Sequence, residues 1–234
     1  ESSPSNNFRN ATTSKIYYRL VGTSDDGRAL CGNFTNSYPG SVAKSNGSGV
    51  ISTVADKILP NVPGFDLNFR IYWDGDLCEE ILNSPGTERE AKIDKIVGNS
   101  VNRIFTSNGC KMNNWSKNNP GATGDIIGDW REELVLRTGD DSKLRIYTTS
   151  TPTSYRVYTL WHDHQYRQAM VWQSIGYNQP PHVSYFLGEL EGITMPPPPL
   201  TMTGRVEVAN NETIGTDLDG KHVIVCETND MEVS

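Results

Sequence analysis

The sequence predicts an all-β fold and favours a β-propeller over a β-sandwich. Short strand-like segments separated by turns fill most of the chain. Apolar residues make up only 35% of the 234 residues, whereas Gly (21) and Pro (13) are plentiful, which suits many short elements joined by turns. A short acidic sequence recurs after 53 positions (129 − 76 = 53). Repeats of about 40–50 residues with several short strands each are typical of propeller blades.

The strand predictions rest on polar–apolar alternation or on β-branched and aromatic composition. The expected strands are residues 67–73 (LNFRIYW), 134–137 (LVLR), 144–147 (LRIY), 155–160 (YRVYTL) and 170–173 (MVWQ). Clusters of Gly, Asp, Asn, Ser and Pro predict turns at residues 24–27, 38–40, 107–109 and 138–141, and a hairpin turn at residues 139–142. A short helix is expected only at residues 164–170.

The repeated sequence carries carboxylates in both copies. The copies are residues 74–81 (DGDLCEEI) and 127–134 (IGDWREEL), and residues 32–36 (GNFTN) are a fainter third copy without the acids. Such spacing loosely resembles calcium loops, although Ca²⁺ takes about six to eight oxygen ligands, so neither set suffices alone. Solvated turn acids that cap or form salt bridges are the alternative. The candidate ligands are Asp74, Asp76, Glu80, Asp125, Asp129 and Glu133.

Three polar segments are candidate binding sites. Residues 113–120 (NNWSKNNP) combine amides, a hydroxyl, an indole and a cation, a mixture that suits sugars because amides chelate vicinal hydroxyls and aromatic faces stack on pyranose rings. His162 and His164 flank Asp163 and would either ligate a metal from a strand or join a hydrogen-bond network. Prolines stiffen residues 176–182 (GYNQPPH), which fixes the amides and tyrosine there or merely shapes a turn. A plain polar loop is the alternative for residues 113–120.

Charge and composition exclude several classes. A net charge of −7 argues against nucleic-acid binding through bulk charge, and no apolar run is long enough to span a membrane. The four cysteines form no CxxC pair, so a zinc site has no support. Free buried cysteine is favoured, and two disulfides are the alternative, which the spacing does not decide. The chain starts without Met, which suggests a processed chain or a piece of a longer one.

The C-terminal end predicts a second domain. Residues 196–199 are four prolines, which favour a stiff extended linker. Residues 204–208 (GRVEV) and 222–226 (HVIVC) are expected strands of another sheet, and the chain stops before such a sheet is complete. The expected boundaries are residues 1–195 for the first domain, 196–203 for the linker and 204–234 for the incomplete second β domain.

Together these motifs resemble the C-terminal third of polysaccharide lyase family 11, the rhamnogalacturonan lyases. The resemblance implies the C-terminal blades of an eight-bladed β-propeller with bound Ca²⁺, about three blades in this chain, with the N-terminal blades of the same protein missing. It also implies secretion to the extracellular space, cell surface or periplasm. The residues that carry it are 26–30 (DGRAL), 72–77 (YWDGDL), 113–117 (NNWSK), 128–133 (GDWREE), 145–149 (RIYTT), 162–167 (HDHQYR) and 177–182 (YNQPPH).

The resemblance implies calcium-assisted β-elimination of the rhamnose–galacturonate backbone of pectin, rhamnogalacturonan I. Arg28 would pair with the galacturonate carboxylate. Lys117 would be the base, which requires neighbouring cations to favour its neutral form, and Tyr177 would be the hydrogen-bond donor or acid at the leaving oxygen, although these two roles are interchangeable. The expected substrate contacts are Asn113, Asn114, Trp115, Ser116 and Asn178.

Two departures from the family pattern matter. Trp115 stands where many members have Gly, which adds a stacking surface, and Asn33 and Thr35 stand where many members place two acids. The alternative functions are a non-catalytic glycan-binding propeller, a calcium-loop propeller that binds proteins, and an inactive fragment of the lyase. A third of a propeller would expose sheet edges, so inactivity of the isolated chain is expected.

Overall fold

The structure is a computed structural model in which residues 5–21, 28–54, 58–175, 178–189, 214–216 and 222–224 are described. The chain divides into two compact units, Glu1–Pro199 and Leu200–Ser234. Among the described residues no helix has the length and hydropathy needed to cross a membrane. The strands of the first unit are β1 (Ser5–Arg9), β2 (Ile16–Val21), β3 (Ala29–Gly32), β4 (Val42–Ser45), β5 (Ile51–Ser52), β6 (Phe69–Ile71), β7 (Glu80–Asn83), β8 (Glu90–Val97), β9 (Ser100–Lys111), β10 (Ala122–Gly124), β11 (Glu133–Thr138) and β12 (Leu144–Tyr147).

These strands form antiparallel meanders in chain order. After the β1–β2 hairpin, β3, β4 and β5 form one three-stranded sheet. A seven-stranded sheet follows in the order β10-β11-β9-β8-β7-β6, with β12 paired to β11. Within it β6 to β9 form one meander and β10 to β12 another, because β9 and β11 share only two residue pairs. The predicted all-β class is confirmed, while the eight-bladed propeller stays a prediction.

The apolar core explains why the meanders stack. On β7, Leu82 packs in the core of the seven-stranded sheet, whereas its neighbour Ile81 packs in a second core with Leu30 and Val42 of the three-stranded sheet. Successive strand residues point to opposite faces, so this meander is buried on both sides. Burial of both faces accounts for the adjacent buried apolar residues Ile81 and Leu82 of β7.

The 53-residue sequence repeat is also a structural repeat. Strands β6 and β10 occupy equivalent positions (122 − 69 = 53), and β7 and β11 begin at the equivalent glutamates Glu80 and Glu133. Glu80 Oε2 accepts hydrogen bonds from the backbone N–H groups of residues 73 and 74, at 2.8 and 3.4 Å. Glu133 Oε2 accepts from residues 126 and 127, at 2.8 and 3.1 Å. Each glutamate therefore closes the loop that precedes its own strand.

A second glutamate in each copy of the repeat, Glu79 or Glu132, joins its own meander to the preceding meander. Asn33 follows β3 and donates its N–H to Glu79 Oε2 at 2.7 Å, while the Glu79 N–H donates to the Asn33 oxygen at 2.8 Å. Tyr72 follows β6 and makes the same exchange with Glu132, at 2.9 and 2.7 Å. The buried guanidinium of Arg70 lies 3.0 Å from Glu79 Oε1 and 2.6 Å from Glu132 Oε2. We call these contacts the glutamate clasp.

The predicted helix is present as α1 (His164–Trp172). Its contacts distinguish between the two alternatives for the histidine motif, a metal site and a hydrogen-bond network. Asp163 caps α1, because its Oδ2 accepts from the N–H groups of Tyr166 at 3.2 Å and of Ser184 at 2.8 Å. The Tyr166 hydroxyl donates to Glu132 Oε1 at 2.7 Å and accepts from the Asp125 N–H at 2.8 Å. His162 Nδ1 instead lies 2.7 Å from a backbone oxygen, so the motif forms a hydrogen-bond network.

Two strand predictions are wrong. Residues 155–160 have no strand partner and lead into a 3₁₀ turn at Leu160–His162. Residues 170–172 are the end of α1, where Gln173 is fixed by exchanging hydrogen bonds with the backbone of Thr123, at 2.9 and 2.6 Å. Tertiary packing thus overrides the β-branched and aromatic composition of both segments.

The other strand predictions in the first unit hold. The predicted strand at residues 67–73 is reduced to β6, residues 134–137 lie in β11, residues 144–147 are β12, and the hairpin turn joins these last two strands. Among the described cysteines, Cys31, Cys78 and Cys110 are free, as expected.

The second unit contains an antiparallel pair, β13 (Ile214–Thr216) and β14 (His222–Ile224). The predicted strand at 222–226 therefore includes β14. The linker at 196–203 and the strand at 204–208 lie outside the described residues.

Candidate functional site

The polar segment 113–119 forms a tight loop that presents Lys117. Asn113 and Asn119 pair through backbone hydrogen bonds of 2.6 and 3.0 Å, and the Lys117 N–H donates to the Asn114 oxygen at 2.8 Å across a 3₁₀ turn at Trp115–Lys117. Asn114 and Asn118 adopt left-handed backbone conformations, with φ of 57° and 46°. Asn tolerates this region because its short side chain bonds locally. The asparagines therefore shape the loop itself.

Side-chain amides tie this loop to the segment after Tyr177. Asn114 Nδ2 donates to Asn119 Oδ1 at 2.9 Å. Asn119 Nδ2 donates to the backbone oxygen of Asn178 at 2.9 Å and to its side-chain oxygen. Asn119 and Asn178 are both buried, so these bonds have little competition from water. The predicted contacts Asn114 and Asn178 thus belong to one network, and Tyr177 itself lies outside the described residues.

A second branch of amides reaches Arg28. Asn118 Nδ2 donates to Asn83 Oδ1 at 3.0 Å, and Asn68 Nδ2 donates to the same oxygen at 2.8 Å. Arg28 Nη1 donates to the Asn68 backbone oxygen at 3.0 Å. Arg28 comes before β3, Asn68 before β6 and Asn83 ends β7, so three strands position this branch. Hydrogen bonds therefore connect Arg28 to the residue beside Lys117.

Trp115 is the exposed aromatic surface of the loop. Its side chain is 66% exposed, and the Arg89 guanidinium lies 4.1 Å from the centre of its ring, within cation–π range. Both residues have left-handed backbone φ, 31° for Trp115 and 59° for Arg89. Together with Asn118 and residues 84–87 they line a cavity of about 240 Å³. One face of the indole is covered by a cation, and the side chain keeps a large exposed area.

The remaining predicted contacts fall in different places. Asn113 Oδ1 accepts from Arg137 Nε at 2.9 Å, so its side chain is directed to β11 and does not join the amide network. The side chain of Ser116 lies outside the described residues. Sequence reasoning missed Arg89 and the linking amides Asn68 and Asn83, which carry no motif and become neighbours only through strand pairing.

The first acidic loop brings its predicted ligands together. Asp74, Asp76 and Glu80 each offer an oxygen within 4.8 Å of the others. Lys95 on β8 places its Nζ among them, at 2.5, 2.8 and 2.9 Å. Ca²⁺ takes about six to eight oxygens. Three carboxylate oxygens around an ammonium do not fit a calcium ion in this arrangement.

The second acidic loop disperses its predicted ligands. Asp125 Oδ2 accepts from Thr159 Oγ1 at 2.7 Å and from a backbone N–H at 2.8 Å. Asp129 forms an ion pair with Arg131. Glu133 closes the loop and accepts from Thr148. In the part of the chain that is described, these three carboxylates form no cluster with metal-ligand spacing. Their arrangement fits the structural alternative, in which turn acids cap and pair.

A cavity of about 370 Å³ lies where the glutamate clasp meets the segment after Asn178. Its lining includes Tyr72, Glu79, His182 and Tyr185. Burial and the charge of Arg70 lower the pKa of His182 to about 3. His182 is therefore neutral here at ordinary pH.

Comparisons with known proteins identify the same family that the motifs resemble. Residues 1–199 match the family described as rhamnogalacturonan lyase family 11, C-terminal domain. The chain is 45% identical over 182 residues to rhamnogalacturonan endolyase YesW of Bacillus subtilis strain 168, which covers 78% of this chain and 28% of that protein. It is 38% identical over 204 residues to rhamnogalacturonan exolyase YesX of the same organism, covering 82% of this chain and 33% of that protein.

The solved structures that resemble this chain are also rhamnogalacturonan lyases. The crystal structure of YesW has a TM-score of 0.71 at 42% identity and covers 82% of this chain and 32% of that one. The exotype lyase YesX gives 0.73 at 37% identity, covering 82% and 33%, and the Bacillus licheniformis rhamnogalacturonan lyase PL11 gives 0.71 at 40%, covering 81% and 31%. The chain thus spans 28–33% of the length of the two curated relatives. The resemblance is confirmed, and the chain belongs to rhamnogalacturonan lyase family 11, whose C-terminal domain corresponds to residues 1–199.

Proposed function

We propose that this chain is the C-terminal part of a lyase that cleaves rhamnogalacturonan I by β-elimination. Membership of the family supports the reaction class, and the names of the two curated relatives support the substrate. The observation that carries the proposal is the amide network. It links Arg28, the loop that presents Lys117 and the segment that follows Tyr177, three parts that are distant in sequence.

The chemistry requires a base, an acid and a cation. The base removes the proton at C5 of galacturonate, the C4–O4 bond breaks, and a C4=C5 double bond forms as the leaving oxygen takes up a proton. The C5 proton is α to a carboxylate, so it is weakly acidic until that charge is neutralised. Electrostatic stabilisation of such an enolate-like transition state is commonly worth several kcal/mol, and a well-matched base contributes about 10²–10⁴-fold.

Three residues of this chain supply the cation, the base and the acid. Arg28 pairs with the uronate carboxylate, because its planar guanidinium matches two carboxylate oxygens. Lys117 is the base and Tyr177 the acid at the leaving oxygen, or the reverse. Asn114 and Ser116 contact rhamnose hydroxyls, and Trp115 stacks on a sugar face. Ca²⁺ has no part in these assignments, because neither acidic loop of the described residues fits it. Calcium elsewhere in the protein stays a prediction.

The rest of the protein enters the proposal because this chain spans only about a third of its relatives. The three meanders are proposed to be blades of an eight-bladed propeller that a preceding region completes. A polymeric pectin substrate implies action outside the cell, at the cell surface or in the periplasm. The net charge of −7 repels a polyanion, so Arg28, Arg89 and Lys117 are proposed to supply the local positive charge.

The test compares Lys117→Met with Lys143→Met, a change in an exposed turn, in this chain joined to the preceding region of YesW. The Lys117 variant should lose the rise in ultraviolet absorbance of unsaturated products, and the Lys143 variant should keep it. Undiminished activity of Lys117→Met would remove this residue from the mechanism. Sugar binding without any product in the unsubstituted protein would favour the non-catalytic glycan-binding alternative.

A further inference from the structure

The three carboxylates of the first acidic loop divide their oxygens in the same way. Asp74 Oδ1 accepts from the backbone N–H of Asp76 at 3.0 Å. Asp76 Oδ1 accepts from the N–H of Cys78 at 2.8 Å, and Glu80 Oε2 accepts from Trp73 at 2.8 Å. One oxygen of each carboxylate is thereby bound to the loop backbone. The other three oxygens remain and point to a common position.

Lys95 fills that position. Its Nζ lies 2.5 Å from Asp74 Oδ2, 2.8 Å from Asp76 Oδ2 and 2.9 Å from Glu80 Oε1. An ammonium has three N–H donors, so its donors match the three remaining oxygens in number. The Lys95 side chain is 16% exposed. Burial disfavours its charge, but Glu80, Asp74 and Asp76 more than offset this and raise the pKa of Lys95 well above its ordinary value.

The second repeat supplies an internal comparison. Thr148 is the equivalent of Lys95 (148 − 95 = 53), and its Oγ1 donates to Glu133 Oε1 at 3.0 Å as Lys95 donates to Glu80 Oε1. Ile127 is the equivalent of Asp74 (127 − 74 = 53). The repeat that lacks the lysine therefore also lacks one of the three acids. The extra cation and the extra carboxylate occur together.

We propose that Lys95 is the resident cation of the first acidic loop, doing there what a divalent metal would do, and that removing its side chain turns the loop into a divalent-cation site. This inference is independent of the proposed lyase activity. It replaces the predicted calcium ion at Asp74, Asp76 and Glu80 with a covalently attached charge. Order in this loop then does not depend on the calcium concentration of the surroundings.

The experiment counts calcium ions bound per full chain by isothermal titration with CaCl₂. Lys95→Met should bind one more ion than the unsubstituted chain, with a Kd at or below about 1 mM. The extra ion should be lost in Lys95→Met with Asp76→Asn. The pair Asp74→Ile with Lys95→Thr, which copies the second repeat, should fold and bind no extra ion.

Two outcomes would overturn the proposal. One is a Lys95→Met chain that folds and binds no additional calcium. The other is loss of a bound calcium from Asp74→Asn in the presence of Lys95, since that would place a metal in the loop already. The second comparison needs no lysine variant, so the assignment of Lys95 as the resident cation can be overturned even where Lys95→Met does not fold.

Discussion

Asn119 donates from its side-chain amide to the backbone oxygen of Asn178, across 59 positions of sequence, at 2.9 Å. Both residues are buried, and Asn119 also accepts from Asn114. This contact decides where the segment after Tyr177 lies relative to the loop that presents Lys117.

Asn119→Ala should therefore reduce both stability and activity. It leaves the Asn178 oxygen and the Asn114 amide without their partner, which costs about 1–3 kcal/mol for a buried polar group. Urea unfolding of the chain measures the first effect. Asn108→Ala, at an exposed position of β9, is the control and should change the unfolding free energy by less than about 0.5 kcal/mol. Equal stability of the two variants would show that the Asn119 contact is not what fixes the segment.

Trp115→Gly should weaken sugar binding without loss of stability. Glycine relieves a left-handed backbone conformation that costs a bulky residue about 1–3 kcal/mol, so the unfolding free energy should stay equal or rise. The stacking surface is lost, so affinity for acidic rhamnogalacturonan oligosaccharides should fall, as measured by calorimetry. Trp115→Phe keeps an aromatic ring and should retain most of the affinity. A Gly variant that binds as well as the unsubstituted chain would contradict the proposed stacking.

Arg89→Ala should lower affinity for the same acidic oligosaccharides by more than it lowers affinity for neutral ones. The guanidinium both supports the Trp115 ring and contributes positive charge to the cavity. The loss should shrink as salt is added, because exposed charges are screened over about 10 Å at 0.1 M. Titrations at two salt concentrations measure it, and a loss that is insensitive to salt would assign Arg89 a purely packing role.

Arg70→Met should destabilise the chain by about 3–5 kcal/mol, because it leaves buried Glu79 and Glu132 without a cation. Burial opposes the charge of Arg70, but these two carboxylates outweigh it and hold the pKa of Arg70 above its ordinary value. Adding Glu79→Gln and Glu132→Gln to Arg70→Met should recover part of the loss. Urea unfolding of the single and triple variants tests this, and a triple variant less stable than the single one would refute the charge argument.

His182 should make the chain sensitive to acid. Its pKa is lowered to about 3 in the folded state, against about 6.5 in an unfolded chain. The unfolded state therefore binds a proton first, so stability present above about pH 6.5 is lost as pH falls toward 3. His182→Gln should flatten this part of the curve of unfolding free energy against pH. Parallel curves for the His182 variant and the unsubstituted chain would count against the prediction.

Much of the fold could be predicted from sequence because local patterns survive packing. Residues 144–147 alternate and form an edge strand, β12, and the acidic repeat marks equivalent loops. Residues 170–173 were mispredicted because a short apolar run does not distinguish a strand from a helix end. Residues 155–160 have strand composition without a strand partner, which only the tertiary structure decides.

The site was less predictable because its contacts cross strands. Lys95 belongs to the same loop as Glu80 only because β7 and β8 pair, and nothing in its own sequence neighbourhood indicates three carboxylate partners. Asn68 and Asn83 are similar, since their amides meet across β6 and β7. The polar run at 113–119 was identifiable because its amides are adjacent in sequence.

The Tyr166 hydroxyl accepts a backbone hydrogen bond at a position where, one repeat earlier, a glutamate carboxylate accepts it. Asp125 is the equivalent of Tyr72 (125 − 72 = 53), yet its N–H donates to Tyr166, where Tyr72 donates to Glu132. A phenol brought by α1 thus stands in for the carboxylate that a further repeat would have delivered. Within the described residues, the series of hydrogen bonds that joins one meander to the next therefore ends on a side chain of α1 and not on a further glutamate.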